Sequence, residues 1–218
     1  MDEASILIAK RAAREVLSGD VVNLGIGIPL MIPEFLPPDV DCIIHQEAGY
    51  VGMGPRARAG EEDQTITDAA GNYVTLRPGA ACFDSAVSFC IVRGGRLDSA
   101  FLGALEVDMY GNLANWTIPD KWSPGVGGGM ELAQKARRVI VMTRHCDKSG
   151  QPKIVERCRL PLTAPACVSL IITEFAVFSV RPAGGLSLVE LMGTATVADV
   201  RARTGACFEI ELAGGTAC

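Results

Sequence analysis

Apolar and polar positions alternate along this chain with two different periods, and the switch between them outlines its elements. Ile6, Ala9, Ala13 and Val16/Leu17 recur every three to four residues, with Lys10, Arg11, Arg14 and Glu15 on the other side. That period predicts a helix over 6–17, stopped by Gly19. A short apolar run at 21–24 then opens into Gly25-Ile26-Gly27-Ile28-Pro29, which predicts a strand, a glycine turn and a proline-started helix. A second buried strand is expected at 41–45, running into Gln46-Glu47-Ala48-Gly49, so Glu47 should project from a strand's carboxyl end.

Residues 52–72 carry no clear period and are expected to form a long surface loop. Further strands are expected at 73–76, 99–105, 138–143, 153–155, 168–173, 175–180 and 186–191, and helices at 84–92, 130–136 and 197–203, the last capped by Thr196. Tyr110-Gly111-Asn112, in the middle of 107–116, predicts a hairpin. Strands and helices alternate through the first half, without internal repeats. The expected fold is α/β: one domain over 1–218, with a mainly parallel open sheet flanked by helices.

With 218 residues, 49% of them hydrophobic, the chain can bury a full core without disulfides or a structural metal. Its net charge is −5 and its basic residues are scattered, which argues against nucleic acid as a partner. The start, with Asp2 and Glu3, matches neither a signal peptide nor a transit sequence, and no apolar run reaches the roughly 18 residues that span a bilayer. A cytoplasmic protein with no membrane association is expected. The eight cysteines at 42, 82, 90, 146, 158, 167, 207 and 218 include no C-x-x-C pair, so most should be reduced, buried small apolar residues. His45 and His145 stand at no metal-ligand spacing, and no metal site is expected.

Several segments have the residue types of a site. A carboxylate at a strand end, followed by Ala48-Gly49 and Gly52, has little side-chain bulk beside it, so a ligand can approach Glu47 closely. A solvated surface glutamate beside a turn fits the same residues. Gly125-Val126-Gly127-Gly128-Gly129 precedes a helix, where backbone N–H groups can converge on an anion or oxyanion, although a flexible helix entry has the same composition. Gly25-x-Gly27 lacks the third glycine of a dinucleotide fingerprint, which argues against nicotinamide binding. His45 reads better as a satisfied core histidine than as a catalytic base, and Cys82 better as a packed thiol than as a nucleophile. Asn115-Trp116-Thr117-Ile118-Pro119 fits either a pocket wall or a folded turn.

In order, and across nearly the whole chain, these segments resemble the β subunit of class I 3-oxoacid/acetate coenzyme A transferases. The resemblance is carried by Val22-Asn23-Leu24-Gly25-Ile26-Gly27-Ile28-Pro29, by His45-Gln46-Glu47-Ala48-Gly49 with Gly52-Met53-Gly54-Pro55, and by Val74-Thr75-Leu76-Arg77-Pro78-Gly79-Ala80. It continues through Gly103-Ala104-Leu105-Glu106-Val107-Asp108, Gly111-Asn112-Leu113-Ala114-Asn115-Trp116 and Gly127-Gly128-Gly129-Met130-Glu131-Leu132. It implies the fold shared with sugar-phosphate isomerase-like domains, and it aligns Glu47 with the family's nucleophilic glutamate. Gly25, Gly27, Ala48, Gly49, Asn72, Gly127, Gly128 and Gly129 are then the expected substrate and CoA contacts.

The implied reaction moves CoA between an acyl-CoA and a small carboxylic acid through a glutamyl-CoA thioester. It needs no metal or organic cofactor, and the implied partner is a homologous α subunit in an α2β2 heterotetramer. The sequence departs from the family at three places: Gln46 stands for the usual serine, Ala48 for asparagine, and Asn72 near a common lysine. These departures leave a cofactor-free acyl-CoA decarboxylase, with a glutaconyl-CoA-like substrate, or a hydrolase as the alternative. A non-enzymatic sensor on the same fold is a further rival, but no DNA-binding segment accompanies the domain.

Overall fold

The computed structural model of the protein describes residues 2–123 and 125–212. Helix α1 (Glu3–Ala13) starts where Asp2 caps it, its carboxylate accepting the Ser5 N–H at 2.9 Å, and it buries Ile8, Ala9, Ala12 and Ala13. The helix is shorter than its apolar pattern. After Ala13 the N–H groups of Arg14, Glu15 and Val16 bond to carbonyls three residues back, a tightening that ends a helix. Asp20 then accepts the Leu17 N–H at 2.9 Å, and Leu17 is left 62% exposed. Glu15 is held instead by Arg11 at 2.8 Å and by Arg138 at 2.5 Å, which ties the helix end to the sheet.

Among the described residues the main sheet has ten strands in the order β13-β12-β11-β10-β8-β5-β1-β2-β3-β4. Its centre is parallel: β10 (Val168–Ile172), β8 (Arg138–Met142), β5 (Ser99–Leu102), β1 (Val21–Leu24) and β2 (Ile43–Gln46). On one flank β3 (Tyr50–Arg56) and β4 (Val74–Cys82) add antiparallel strands. On the other, β11 (Ala176–Val180) and β12 (Leu186–Leu191) are antiparallel, and β13 (Phe208–Ile210) pairs parallel to β12. A smaller sheet joins β6 (Glu106–Asp108), β7 (Leu113–Ala114) and β9 (Ile154–Val155), with β6 and β7 forming the expected hairpin.

The central strands are apolar on both faces because each face is covered. Phe101, Ile140, Met142 and Ile172 pack toward α1 and the 3-10 helix Ile28–Phe35. Their neighbours Ala100, Leu102, Val139, Val141 and Ile171 pack with Val92 of α2 (Ser85–Arg93), Leu132 and Ala133 of α3 (Gly129–Lys135) and Val200 of α4 (Val197–Arg203). This two-residue alternation between two cores is what a doubly covered parallel sheet requires. Thr196 caps α4 with a reciprocal capping box through Asp199.

The expected loop over 52–72 is corrected in its first part, since Gly52 to Arg56 belong to β3. Register shifts against β4 interrupt the ladder at Val51/Met53 and Met53/Arg56, so no regular alternation survives in the sequence to reveal the strand. β4 likewise runs on to Cys82, well past the expected end at 76; as the sheet's edge strand it is mostly exposed and lacks an apolar face.

The cysteines also depart from expectation. Cys42 is buried, Cys146, Cys158 and Cys167 are half-buried, and Cys82, Cys90 and Cys207 are exposed; all seven are free, and Cys218 lies outside the described residues. Cys82 ends the exposed edge strand and Cys90 lies on the outward side of α2, where neither has a core to join. Burial pushes the thiols of Cys158 and Cys167 up to about 12, which keeps them protonated and inert.

Candidate active site

The chain leaves β1 for β2 on one side and returns to place β5 on the other side of β1. Such a reversal opens a crevice at the carboxyl ends of the parallel strands. A cleft of about 700 Å³ lies there, lined by Gly25 and Ile26 after β1, Glu47 after β2, and Leu102 to Leu105 after β5. Its far wall comes from Asn115 to Ile118, Lys121 to Ser123 and Gly125 to Gly129. Asn115 braces this wall: its amide donates to the Gly103 carbonyl at 3.1 Å and accepts from Thr163 Oγ1 at 2.6 Å. Trp122, 88% exposed, stands at the rim. The segment 115–118 is thus the pocket wall that one of its two sequence readings expected.

Glu47 is half-buried. One oxygen, Oε2, accepts from Asn23 Nδ2 at 3.0 Å. Asn23 is fully buried on β1, and its Nδ2 also faces the His45 carbonyl at 3.1 Å and His45 Nδ1 at 3.3 Å. The imidazole continues inward, with Nε2 3.0 Å from Ser88 Oγ, which in turn donates to the Gln46 carbonyl at 3.2 Å. Burial lowers the pKa of His45, outweighing the nearby Glu47 carboxylate, which raises it. The ring is therefore neutral near pH 7, in keeping with a satisfied core histidine.

Opposite Glu47 lies the backbone of Gly128. A Cβ there would sit 2.9 Å from Phe89 Cζ and 3.3 Å from Glu47 Cγ. The missing side chain lets the backbone close on the carboxylate stem.

Of the residues expected to contact substrate, Glu47, Gly25, Gly127, Gly128 and Gly129 come together in the cleft. Gly27, Ala48, Gly49 and Asn72 do not line it. Gly49 has φ +136°, and a Cβ there would press against the Phe83 carbonyl oxygen; it shapes the turn that follows Glu47 and seats it against the entry to α2. Asn72 closes a tight turn on Asp68, whose Oδ1 accepts the N–H groups of Ala70 and Asn72 at 2.9 Å each. The same turn recurs at Asp108-x-x-Gly111-Asn112 and Asp147-x-x-Gly150-Gln151, with the aspartate accepting the third and fifth N–H each time. Asn72 thus serves a hairpin turn and not the cleft.

The departures at 46 and 48 also lie off the cleft lining. Gln46 is buried and donates to Met53 Sδ at 3.4 Å, and Ala48 is exposed.

Sequence reasoning did not assign Asn23 and Ser88 to this site. The signal for Asn23 was present, a lone amide inside the apolar run Val21-Val22-Asn23-Leu24. Nothing local marks Ser88.

A crevice at the switch point of a doubly covered parallel sheet, holding one carboxylate with a glycine backbone against it, is where open α/β domains bind their ligands, and comparison with known proteins identifies the family. The family model for coenzyme A transferase matches residues 6–202, and the chain belongs to that family, as a beta-type subunit. It is 48% identical over 205 residues to the probable coenzyme A transferase subunit beta of Bacillus subtilis, covering 94% of each chain. It is 43% identical over 208 residues to the acetate CoA-transferase subunit beta of Escherichia coli K12, covering 95% of this chain and 94% of the other. Among solved structures, the acyl-CoA transferase (YdiF) apoenzyme from Escherichia coli O157:H7 shares the fold with a TM-score of 0.76 at 24% identity, over 97% of this chain and 44% of that one.

Proposed function

We propose that this chain is the beta subunit of an acyl-CoA:carboxylate CoA transferase and that Glu47 is its nucleophile. Glu47 attacks the acyl-CoA thioester to give a mixed anhydride and CoA thiolate. The thiolate returns to the glutamyl carbonyl, forming a glutamyl-CoA thioester and releasing the first carboxylic acid. A second acid then accepts CoA by the reverse steps. Each acyl bond broken is replaced by another, so no metal, redox group or organic cofactor is required.

The observation that carries this reading is the environment of Glu47. It lies at a strand end, in the cleft, with one oxygen held by Asn23 at 3.0 Å and a side-chain-free backbone at its stem. Holding Oε2 leaves Oε1 to attack, and Ile26, Leu102, Trp116 and Ile118 supply one apolar wall of the water-poor pocket that the anhydride and the thioester need. Gln46 and Ala48 lie off the cleft lining, so the family's polar residues there are lost without changing the carboxylate's own surroundings. That favours transfer over decarboxylation or hydrolysis.

The cleft of this chain is open to solvent. A homologous α subunit, in an α2β2 assembly in the cytoplasm, completes it in this reading. No described helix is long and apolar enough to cross a membrane.

The test uses the purified α–β complex. Incubation with acyl-CoA and borohydride, followed by peptide mass spectrometry, labels Glu47, and Glu47→Ala abolishes both label and turnover. A label elsewhere, or turnover by Glu47→Ala at the parent rate, refutes the reading. CO2 release from acyl-CoA without an acceptor acid transfers the assignment to the decarboxylase reading.

A further inference from the structure

We infer that His45 and Ser88 are positioning residues that keep the ring nitrogen beside the Asn23 amide free of a proton, so that the amide can hold Glu47 for attack; this rests on the assignment of Glu47 as nucleophile. Each link has a donor and an acceptor whose roles are forced by its neighbour. The Gln46 carbonyl can only accept, so the Ser88 hydroxyl donates to it at 3.2 Å. The Ser88 oxygen is then free to accept from His45 Nε2–H at 3.0 Å. With its proton on Nε2, the neutral ring presents the lone pair of Nδ1 to Asn23 Nδ2 at 3.3 Å. Asn23 accordingly turns its N–H edge, not its oxygen, toward Glu47 Oε2 at 3.0 Å.

The opposite amide orientation is excluded by the same groups. It would set the Asn23 oxygen against three acceptors, namely Glu47 Oε2, the His45 carbonyl and His45 Nδ1. The Asn23 Oδ1 is buried and has no partner among the described residues. A buried oxygen left unpaired is a cost, and it is accepted here because the amide's two N–H hydrogens are shared among three acceptors on the other edge. The carboxylate and the His45 carbonyl already turn the amide's N–H edge toward them; the histidine tautomer decides whether the third neighbour of that edge, Nδ1, is an acceptor or an opposing N–H, and Ser88 decides the tautomer. An orienting group that fixes an imidazole's proton is a known means of holding a reactive centre in register.

A proton on Nδ1 would set N–H against N–H and push the amide away from the position in which it holds Glu47 Oε2. Glu47, beyond the end of β2, is the charged group acting on the ring, and the α2 residue facing it is the neutral Ser88. Because burial lowers the His45 pKa below its ordinary 6.5 against the opposing pull of Glu47, the arrangement holds at neutral pH and fails on acidification.

The experiment compares His45→Asn, His45→Gln and Ser88→Ala in the α–β complex. Asparagine keeps an acceptor at the place of Nδ1, whereas glutamine keeps a polar group at the place of Nε2. His45→Asn is expected to retain kcat within about threefold, while His45→Gln and Ser88→Ala lose about tenfold or more in kcat with the KM for acyl-CoA within about twofold. The parent kcat should also fall below pH 6.5 with a component that His45→Asn lacks. Borohydride trapping on Glu47 should slow in parallel with kcat.

Equal loss in both His45 variants, or Ser88→Ala with the parent kcat and pH profile, overturns the inference. Ser88→Ala removes one oxygen and keeps the test available if His45→Gln does not fold. Parent enzyme labelled on Glu47 with unresponsive variants rejects only the positioning role; parent enzyme without that label rejects the nucleophile itself.

Discussion

Gly128→Ala separates catalytic geometry from stability. Gly128 has φ −78° and ψ −2°, which alanine adopts freely, so the backbone is not strained by the change. The added methyl, however, would stand 2.9 Å from Phe89 Cζ, 3.1 Å from Phe89 Cε1 and 3.3 Å from Glu47 Cγ, all inside the roughly 3.5–4.0 Å of a comfortable carbon contact. Phe89 presents the far end of a half-buried ring on α2, and its displacement costs about 1 kcal/mol, or about 3 °C in Tm for a chain of this size.

Glu47 has less room to give, because Asn23 already holds its carboxylate. A shift of a few tenths of an ångström, with a methyl at the stem, is expected to lower kcat by about 10- to 100-fold. Steady-state turnover and the rate of borohydride trapping on Glu47, measured beside a thermal melt, read both quantities. Parent-like turnover and trapping in a folded Gly128→Ala enzyme would refute the claim that this backbone is closed on the nucleophile.

Two further predictions concern stability. Gly49→Ala combines φ +136° with a Cβ pressed against the Phe83 carbonyl oxygen, and backbone cannot step aside as a ring can; the loss should be about 3 kcal/mol, read as a fall in Tm of about 9 °C. His145 is buried between Thr173 and Thr204, each 2.9 Å from a ring nitrogen, and burial with the Arg203 charge pushes its pKa down to about 4. The unfolded state takes up the proton first, so the stability contribution is whole above pH 6.5 and is lost as pH falls toward about 4, on the order of 3 kcal/mol across that window. Urea melts at pH 7 and pH 5 should show the drop, and His145→Gln should flatten it.

Much of the fold was legible because it follows from local pattern. β1, β12 and α4 end where the periodicity ends, and the Thr196 cap was visible as a threonine ahead of an apolar helical run. Elements held by pairing were less visible. β3 carries glycines, a proline and two register shifts, so its strand character comes from β2 and β4 on either side. The end of α1 was misjudged because Val16 and Leu17 continue the apolar period, yet Asp20 captures the Leu17 N–H and Arg138 of β8 draws Glu15 to the sheet.

The site divides along the same line. A carboxylate at the end of an apolar strand and a glycine cluster ahead of a helix are sequence facts, and their resemblance to coenzyme A transferases followed from order and residue type. Which of them meet depended on the strand order. Placing β1 between β2 and β5 brings Asn23 to Glu47 across 24 positions of sequence and His45 to Ser88 across 43.

The chain's own pattern of apolar and polar residues determined that it would build a doubly covered parallel sheet and present Glu47 at one edge. Only the tertiary structure decided that Asn72 closes a turn, that Gly49 shapes a bend, and that Gly128 and Asn23 flank the carboxylate. The physical reason is that periodicity reports which way a side chain faces relative to its own backbone, whereas hydrogen bonds and close contacts depend on which other strand the sheet sets beside it.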